Sequence, residues 1–304
     1  MMRGGIGLPN ALPGVAGSAA VEWARAAEEC GYHAVASVDR VAFANHDAFI
    51  SLAAAAVVTE RVQLLTAISL GPLRSPGLLA KTAATLDHLA RGRFVLGVGV
   101  GSREDDYVAA GASELFHHRG AALDQQLEQM SRIWRAEDWD GGPLVGPEPL
   151  TAGGPRVLLG GASLATWART ARYGSGWISG RGGPEGFGHG AVAVRRAWSV
   201  AGRSEEPLLG ALVYFSLGPN GATAAEQFIG QYYGYAPFVD SLLASVNVTP
   251  GMVRATVSQY ADLGCGQLLF FPCAADLEQV ELLSEAMSGL GVLEGNALHN
   301  LSPP

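Results

Sequence analysis

The chain has 304 residues, 48% of them hydrophobic and 16% charged, with a formal net charge of −8 at pH 7 and a pI near 5.4. That length supports a large core and covers one (β/α)₈ barrel, which takes about 250 residues and leaves room for excursions. The acidic balance and the lack of any Lys/Arg run exclude the clustered positive charge that nucleic acid or an anionic membrane surface requires. Lys81 is the only lysine and lies in a helical stretch, which argues against Schiff-base and pyridoxal phosphate chemistry. Seven histidines form no His-x-His or His-x-x-x-His pair, so no metal site is expected. The cysteines, Cys30, Cys265 and Cys273, form no CxxC pair and are too few for a disulfide framework. Residues 1–9 carry no long apolar run of the kind a secretory leader has, and the most apolar stretch, residues 52–58, is far too short to span a bilayer. A cytoplasmic location is expected.

Short apolar runs alternate with helical-period segments, the signal for repeated βα units around a parallel sheet. The strand candidates are residues 5–8, 34–38, 62–69, 93–98, 156–159, 176–179, 208–217 and 267–271, each bounded by Gly, Pro, Ser or Asp. They predict an α/β fold, a single (β/α)₈ TIM barrel over residues 1–304, with excursions after strands 4 and 7. The second candidate strand ends in Asp39-Arg40. His46 follows between Asn45 and Asp47, in surroundings that suit a helix N-terminus as well as a proton donor. The third ends in Ala67-Ile68-Ser69. The fourth ends in alternating glycines, Gly97, Gly99 and Gly101, which reads as a Rossmann fingerprint only in a different chain context. Such glycines otherwise permit tight strand packing or the close approach of a flat ring.

The first excursion, residues 102–119, holds Glu104, Asp105, Asp106, Tyr107, His117, His118 and Arg119, every titratable type a proton shuttle needs. Within it Tyr107 and Arg119 are the candidates to face a cofactor. Leu123, Leu127, Met130 and Trp134 then form one apolar helical stripe, as Leu277, Val280, Leu283 and Met287 do near the C-terminus. The Gly/Pro-rich stretch 141–155 is too short to mark a domain boundary. Gly160-Gly161-Ala162-Ser163 joins the fifth strand to a helix near Leu164, where free N–H groups bind an anion and Ser163 adds a hydroxyl or caps the helix. Ser179-Gly180-Arg181-Gly182-Gly183 follows the sixth strand and suits the other side of the same phosphate. The second excursion, residues 218–249, carries Phe228, Tyr232, Tyr233, Tyr235 and Phe238, which read either as a lid or as outer helix packing. Cys273 reads as a packed small hydrophobe.

Residues 91–111 resemble the signature of the luciferase-like monooxygenase family, which includes flavin- and deazaflavin-dependent oxidoreductases. Val35-Ala36-Ser37-Val38-Asp39-Arg40, Leu65-Thr66-Ala67-Ile68-Ser69, Arg156-Val157-Leu158-Leu159-Gly160-Gly161-Ala162-Ser163 and Ala171-Arg172-Tyr173-Gly174-Ser175-Gly176-Trp177-Ile178 fall in register with it. The resemblance implies FMN or the deazaflavin F420 over the strand C-termini, and a non-proline cis peptide or bulge at Ala67, Ile68 and Ser69. The implied cofactor residues are Asp39, Ala67, Ile68, Ser69, Gly97, Gly99, Gly101, Gly160, Gly161, Ala162, Ser163, Ser179, Gly180 and Arg181. The catalytic candidates are Arg40, His46, Tyr107 and Arg119. Luciferase itself and many F420-using relatives carry histidine near the place of Arg40, so no histidine role carries over directly.

The expected activity is a monooxygenase that takes reduced FMN from a separate flavin reductase and uses O₂ to oxygenate a small apolar or aromatic substrate. F420-dependent hydride transfer is the alternative on the same scaffold, and it predicts a basic groove built from Arg181, Arg195 and Arg196. A non-catalytic flavin-binding subunit and a barrel whose glycines are only structural complete the alternatives. The resemblance also implies a homodimer.

Overall fold

Nine short parallel strands form the sheet of this computed structural model, which describes residues 1–139 and 141–293. They are β1 (Arg3–Gly7), β2 (Ala34–Ser37), β3 (Gln63–Thr66), β4 (Ser69–Leu70), β5 (Phe94–Gly99), β6 (Arg156–Gly160), β7 (Gly176–Ser179), β8 (Leu208–Phe215) and β9 (Gln267–Pro272). Their order, β3-β2-β1-β9-β8-β7-β6-β5-β4, closes on itself because β5 pairs with β3 as well as with β4. The third predicted strand is thus one stave in two pieces, parted where the Ala67–Ile68 peptide is cis, and the barrel has eight staves.

The helices in chain order are α1 (Ala19–Glu29), α2 (Ala48–Ala56), α3 (Pro76–Leu89), α4 (Glu104–Ala109), α5 (Arg119–Trp134) and α6 (Leu164–Tyr173). They continue as α7 (Gly183–Val200), α8 (Gly221–Tyr233), α9 (Val239–Ala244), α10 (Pro250–Asp262) and α11 (Glu278–Met287). Eight of them surround the barrel, while α4 belongs to the first excursion and α8 and α9 to the second. Asp47, Ser75, Ser163 and Thr249 start α2, α3, α6 and α10 by accepting backbone N–H groups that have no partner inside the helix. The predicted α5 stripe of Leu123, Leu127, Met130 and Trp134 is buried. Leu277 departs from its own stripe: it precedes α11 and is exposed, because the helix begins one residue later.

Alternate strand residues face two separate cores. Val35, Leu64, Phe94, Leu96, Leu159, Trp177, Leu268 and Phe270 pack outward against the helices. Ala34, Ala36, Leu65, Val95, Leu158, Ile178, Tyr214, Leu269 and Phe271 fill the barrel. The filling is lopsided. A Cβ on Gly7 would lie 2.3 Å from the Phe271 ring, and one on Gly5 2.5 Å from Leu269, so the bulk of β9 occupies space that β1 leaves empty. Gln267 donates to Gln63 at 3.1 Å and links β9 to β3 at their N-terminal ends. The stretch before β6 is tied to α3, where Lys81 donates to the Gly146 carbonyl at 2.6 Å and Asp87 accepts from Thr151.

Gly97 is the tightest strand position, since a Cβ there would lie 1.9 Å from the Thr66 carbonyl oxygen, a backbone atom that cannot swing aside. Gly97→Ala is expected to lower stability by about 3 kcal/mol in urea unfolding. Gly230→Ala, at an exposed α8 position with open space around the new methyl, is expected to raise it by about 0.5–1 kcal/mol.

Candidate active site

The end of β2 carries two charges that the fold treats differently. Asp39 is buried and accepts from Ser69 Oγ and the Leu70 N–H, both at 3.1 Å, and from Arg74 at 3.4 Å. Arg74 also reaches Asp47, the α2 cap, at 2.9 Å. This network fastens the broken third stave to the second. Arg40 turns instead to the first excursion. Its Nε donates to both oxygens of Asp106, at 3.0 and 2.7 Å, and Asp106 also accepts the N–H groups of Val41 and Ala42 at 2.8 Å. Arg40 Nη2 reaches the Ala42 carbonyl at 3.3 Å and Asp105 at 3.5 Å, while Nη1 has no hydrogen-bond partner. The side chains of Arg40 and Asp106 are 5% and 2% exposed, so this is a buried ion pair joining two strand-end loops.

Above the strand ends lies a cleft enclosing about 1190 Å³ of empty space, open mouth included. Ile68 forms part of its wall. A Cβ on Gly99 would lie 2.2 Å from Ile68 Cδ1, and one on Gly160 2.3 Å from the same atom, so these two glycines make room for Ile68. Val38, Ala67, Leu70, Ile178 and Leu212 add apolar wall.

One end of the cleft is built from loops that meet helix N-termini. Gly160, Gly161 and Ala162 lead into α6, and Gly180 and Arg181 lead into α7. Trp177 Nε1 donates to the Gly161 carbonyl at 2.7 Å and holds that loop against β7, while Ser179 Oγ donates to the Arg181 carbonyl at 3.1 Å. A Cβ on Gly180 would meet nothing within 4 Å, so a side chain there would take up cleft space. Arg181 has no carboxylate within ion-pair distance among the described residues; its guanidinium lies 5.5 Å from the Phe238 ring.

The aromatic excursion borders the cleft. Tyr232, Tyr233, Tyr235 and Phe238 line the cleft, and Phe228 packs beneath them against Tyr214, its ring centroid 5.9 Å away. Arginines from three strand ends stack on it: Arg40 on Tyr232 at 5.4 Å, Arg103 on Tyr235 at 4.0 Å and Arg181 on Phe238. Arg103 also donates to the Tyr232 carbonyl at 2.7 Å. Tyr214 and Tyr233 share a hydroxyl–hydroxyl hydrogen bond of 2.8 Å, and burial pushes both phenols up, so they stay protonated at neutral pH.

Of the residues picked from sequence, the cleft brings together Asp39, Arg40, Ala67, Ile68, Gly101, Gly160, Gly161, Ala162, Ser179, Gly180 and Arg181. Ser69, Gly97, Gly99 and Ser163 stand behind it, in the Asp39 network, under Thr66 and Ile68, and at the α6 cap. His46 does not line it; its side chain is exposed and its backbone N–H donates to Asn10. Tyr107 is buried beneath the end of β5, donating to the Val100 carbonyl at 2.6 Å, and burial pushes its phenol up to about 12. Arg119 is taken up by Phe116, bonding its carbonyl and lying 4.2 Å over its ring. Neither Tyr107 nor Arg119 lines the cleft. Sequence reasoning missed Asp106 as the fixed partner of Arg40. Its neighbours Glu104 and Asp105 present the same charge, and only the fold selects among the three.

A profile of the luciferase-like monooxygenase family matches residues 2–266. An uncharacterised protein of Mycobacterium tuberculosis is 35% identical over 175 residues, 55% of this chain and 61% of that protein. The chain thus matches about three-fifths of the length of that relative. An F420-dependent glucose-6-phosphate dehydrogenase of Gordonia bronchialis is 34% identical over 127 residues, 39% of this chain and 38% of its own. Among solved structures, the monooxygenase RslO1 from Streptomyces bottropensis superposes with a TM-score of 0.74 at 24% identity, covering 94% of this chain and 96% of its own. The oxygenating constituent of 3,6-diketocamphane monooxygenase of Pseudomonas putida, in complex with FMN, gives 0.75 at 15% identity, covering 95% and 97%. At these identities both likenesses speak to the fold.

Replacing Asp106 by Asn would leave the Arg40 charge buried without a counter-charge. Asp106→Asn is expected to lower stability by about 3 kcal/mol in urea unfolding. A loss below about 1 kcal/mol would mean that water reaches the pair and screens it.

Proposed function

This chain belongs to the luciferase-like monooxygenase family, and from that membership we propose that it is an FMN-dependent monooxygenase acting on a small apolar or aromatic compound. The observation that carries the choice of cofactor is the charge at the phosphate end of the cleft. Two glycine-rich loops that lead into α6 and α7, and Arg181, a cation with no carboxylate partner among the described residues, lie there, a set that suits a single phosphate. The residues fit such a group. The loops are glycine-rich, the space at Gly180 is open, and the Gly161 backbone is held by Trp177.

F420 carries a polyanionic tail and asks for more cations than this. Arg195 and Arg196 do not supply them: they lie about 18 Å down α7 from Gly183 at 1.5 Å per residue, and Arg195 pairs with Glu206 at 3.2 Å. Arg40 and Arg103 are matched by Asp106 and Asp105. The deazaflavin reading stays as the second one, favoured by the F420-dependent dehydrogenase among the relatives.

Reduced FMN, delivered by a separate reductase, supplies the two electrons that let O₂ place one oxygen atom in the substrate and leave the other as water. The chain binds, orients and shields. Arg181 and the loops leading into α6 and α7 would hold the phosphate. Ile68 would pack against the ring, and the aromatic excursion would keep water away from the reacting atoms. The Tyr214–Tyr233 pair offers neutral hydroxyls at the inner wall rather than a base.

The test is a parallel titration of the purified protein with FMN and with F420, each oxidised and reduced, followed by fluorescence. FMN is expected to bind more tightly than F420. Arg181→Gln is expected to weaken FMN about 10-fold or more, and Gly180→Val to block it with the fold intact by circular dichroism. Preferential F420 binding, or FMN affinity indifferent to both substitutions, would overturn the reading.

A further inference from the structure

The hydroxyls of Tyr214 and Tyr233 carry two hydrogens and share one hydrogen bond. They lie 2.8 Å apart, both residues line the cleft, and neither hydroxyl has a second partner among the described residues. Tyr214, on β8, is 5% exposed and packs against the rings of Phe228, Tyr233 and Phe271 at 5.9, 5.9 and 6.5 Å. Among the described residues its hydrogen has one acceptor, the Tyr233 oxygen. Tyr233 ends α8 and is half-buried, so with that oxygen occupied its own O–H is left for the cleft. Buried polar groups are nearly always paired, and an unmade bond on a tightly packed pair beside a cleft marks a ligand position.

The surroundings select the acceptor. Burial pushes the Tyr233 phenol up, while the Tyr214 hydroxyl and the positive charges of Arg181 and Arg40 favour negative charge at that point. Tyr233 therefore keeps its proton and acts as a donor. The hydroxyl behind it polarises that donor, which strengthens its bond to an anionic oxygen. A carboxylate brings two oxygens, which one O–H does not satisfy, whereas a phenolate brings one. An aliphatic alcohol does not ionise at neutral pH, so the single-oxygen anion of an apolar compound is a phenolate. Tyr235, Phe238, Ile178 and Leu212 line the same cleft and suit a flat aromatic body.

We propose that the Tyr233 hydroxyl, backed by that of Tyr214, binds the oxygen of an aromatic phenol as the phenolate, which makes phenols the substrate class of this cleft. The binding rests on reading the cleft as a substrate site, and the reaction rests on the FMN reading. A phenolate ring is richer in electrons than the phenol, which suits it to receive an electrophilic oxygen atom. In that reaction the O–O bond of O₂ breaks and a C–O bond forms at a ring carbon, whose hydrogen ends on the new hydroxyl. The other oxygen leaves as water with the two hydrogens of reduced FMN. A phenol, O₂ and reduced FMN thus balance a diol, water and FMN.

The probe is 4-nitrophenol, whose phenolate is yellow, titrated across pH by difference absorbance against the cofactor-free and the FMN-saturated protein. The wild type is compared with Tyr233→Phe, Tyr214→Phe and a protein carrying 3-fluorotyrosine at position 233. Both Phe variants keep the ring and its packing. The cofactor-free wild type is expected to bind the phenolate about 10-fold more tightly than the neutral phenol, so that the bound probe turns yellow about one pH unit lower. The preference should fall to about 2-fold or less in Tyr233→Phe, and to about 3-fold in Tyr214→Phe, where the donor remains but nothing backs it. The fluorinated ring has nearly the same shape and a stronger O–H donor, so it should exceed the wild type, a change that a packing role would not produce. Equal affinity for the two forms in the wild type, a wild-type preference in Tyr233→Phe, or no response to fluorination would overturn the proposal. With FMN bound, the preference should shrink, because the phosphate shares the charge of Arg181. A preference that follows Tyr233 in a protein that binds no FMN would uphold the inference while the FMN reading fell.

Discussion

A closed barrel of eight staves has a fixed interior volume, and side chains from all of them compete for it. Here the competition is resolved unevenly. Leu269, Phe271, Leu212 and Tyr214 bring bulk from β8 and β9, while Gly5 and Gly7 of β1 and Ala34 and Ala36 of β2 give way. On the opposite side Gly97, Gly99 and Gly160 leave a trough that Thr66 and Ile68 enter. The cleft lies above this filled centre, with Ile68 in its wall. Any methyl group added along the trough must displace either backbone or Ile68.

The mouth then needs closing, and two kinds of force close it. The Arg40–Asp106 pair joins the loops after β2 and β5 at the cost of removing two charges from water. That cost is offset only because Asp106 also takes two backbone N–H groups and Arg40 lies among rings. Such a pair adds less to stability than to definition, since it allows one arrangement of the loops and penalises others heavily. The second is a set of smaller contacts. The aromatic excursion is stacked on arginines and on other rings, contacts worth about 0.5–1 kcal/mol each where exposed, and is tied by the Arg103–Tyr232 and Tyr214–Tyr233 hydrogen bonds.

Hydrophobic runs and their Gly, Pro and Ser boundaries located all eight staves, because a parallel strand buried on both faces needs an unbroken apolar run and a turn at each end. The same local logic found the Gly160–Gly161 and Gly180–Arg181 loops, where glycine and a helix start are adjacent in the chain. It was blind wherever the deciding contact spans many residues. Tyr107 and Arg119 carry suitable chemistry, but a hydroxyl bonded to Val100 and a guanidinium laid on Phe116 are spent on local structure. His46 sits in polar surroundings that turn out to be the α2 cap and the Asn10 contact. Asp106 was one carboxylate in a run of three, and its pairing with Arg40 crosses 66 positions that no periodicity reports. The break in the third stave was equally hidden in an apolar run that reads as one strand.

The two forces at the mouth meet in Arg181. Arg40 and Arg103 are matched by Asp106 and Asp105, whereas Arg181 meets the lid through the Phe238 ring, 5.5 Å from its guanidinium. A guanidinium that lies over a ring keeps the N–H groups at its edge free, so on the reading of this end of the cleft as a phosphate site one arginine would serve both the anion and the lid. A charge-assisted hydrogen bond to phosphate is worth about 1.5–3 kcal/mol, against about 0.5–1 kcal/mol for an exposed cation–π contact, so the anion would fix where Arg181 sits and the lid edge at Phe238 would follow it.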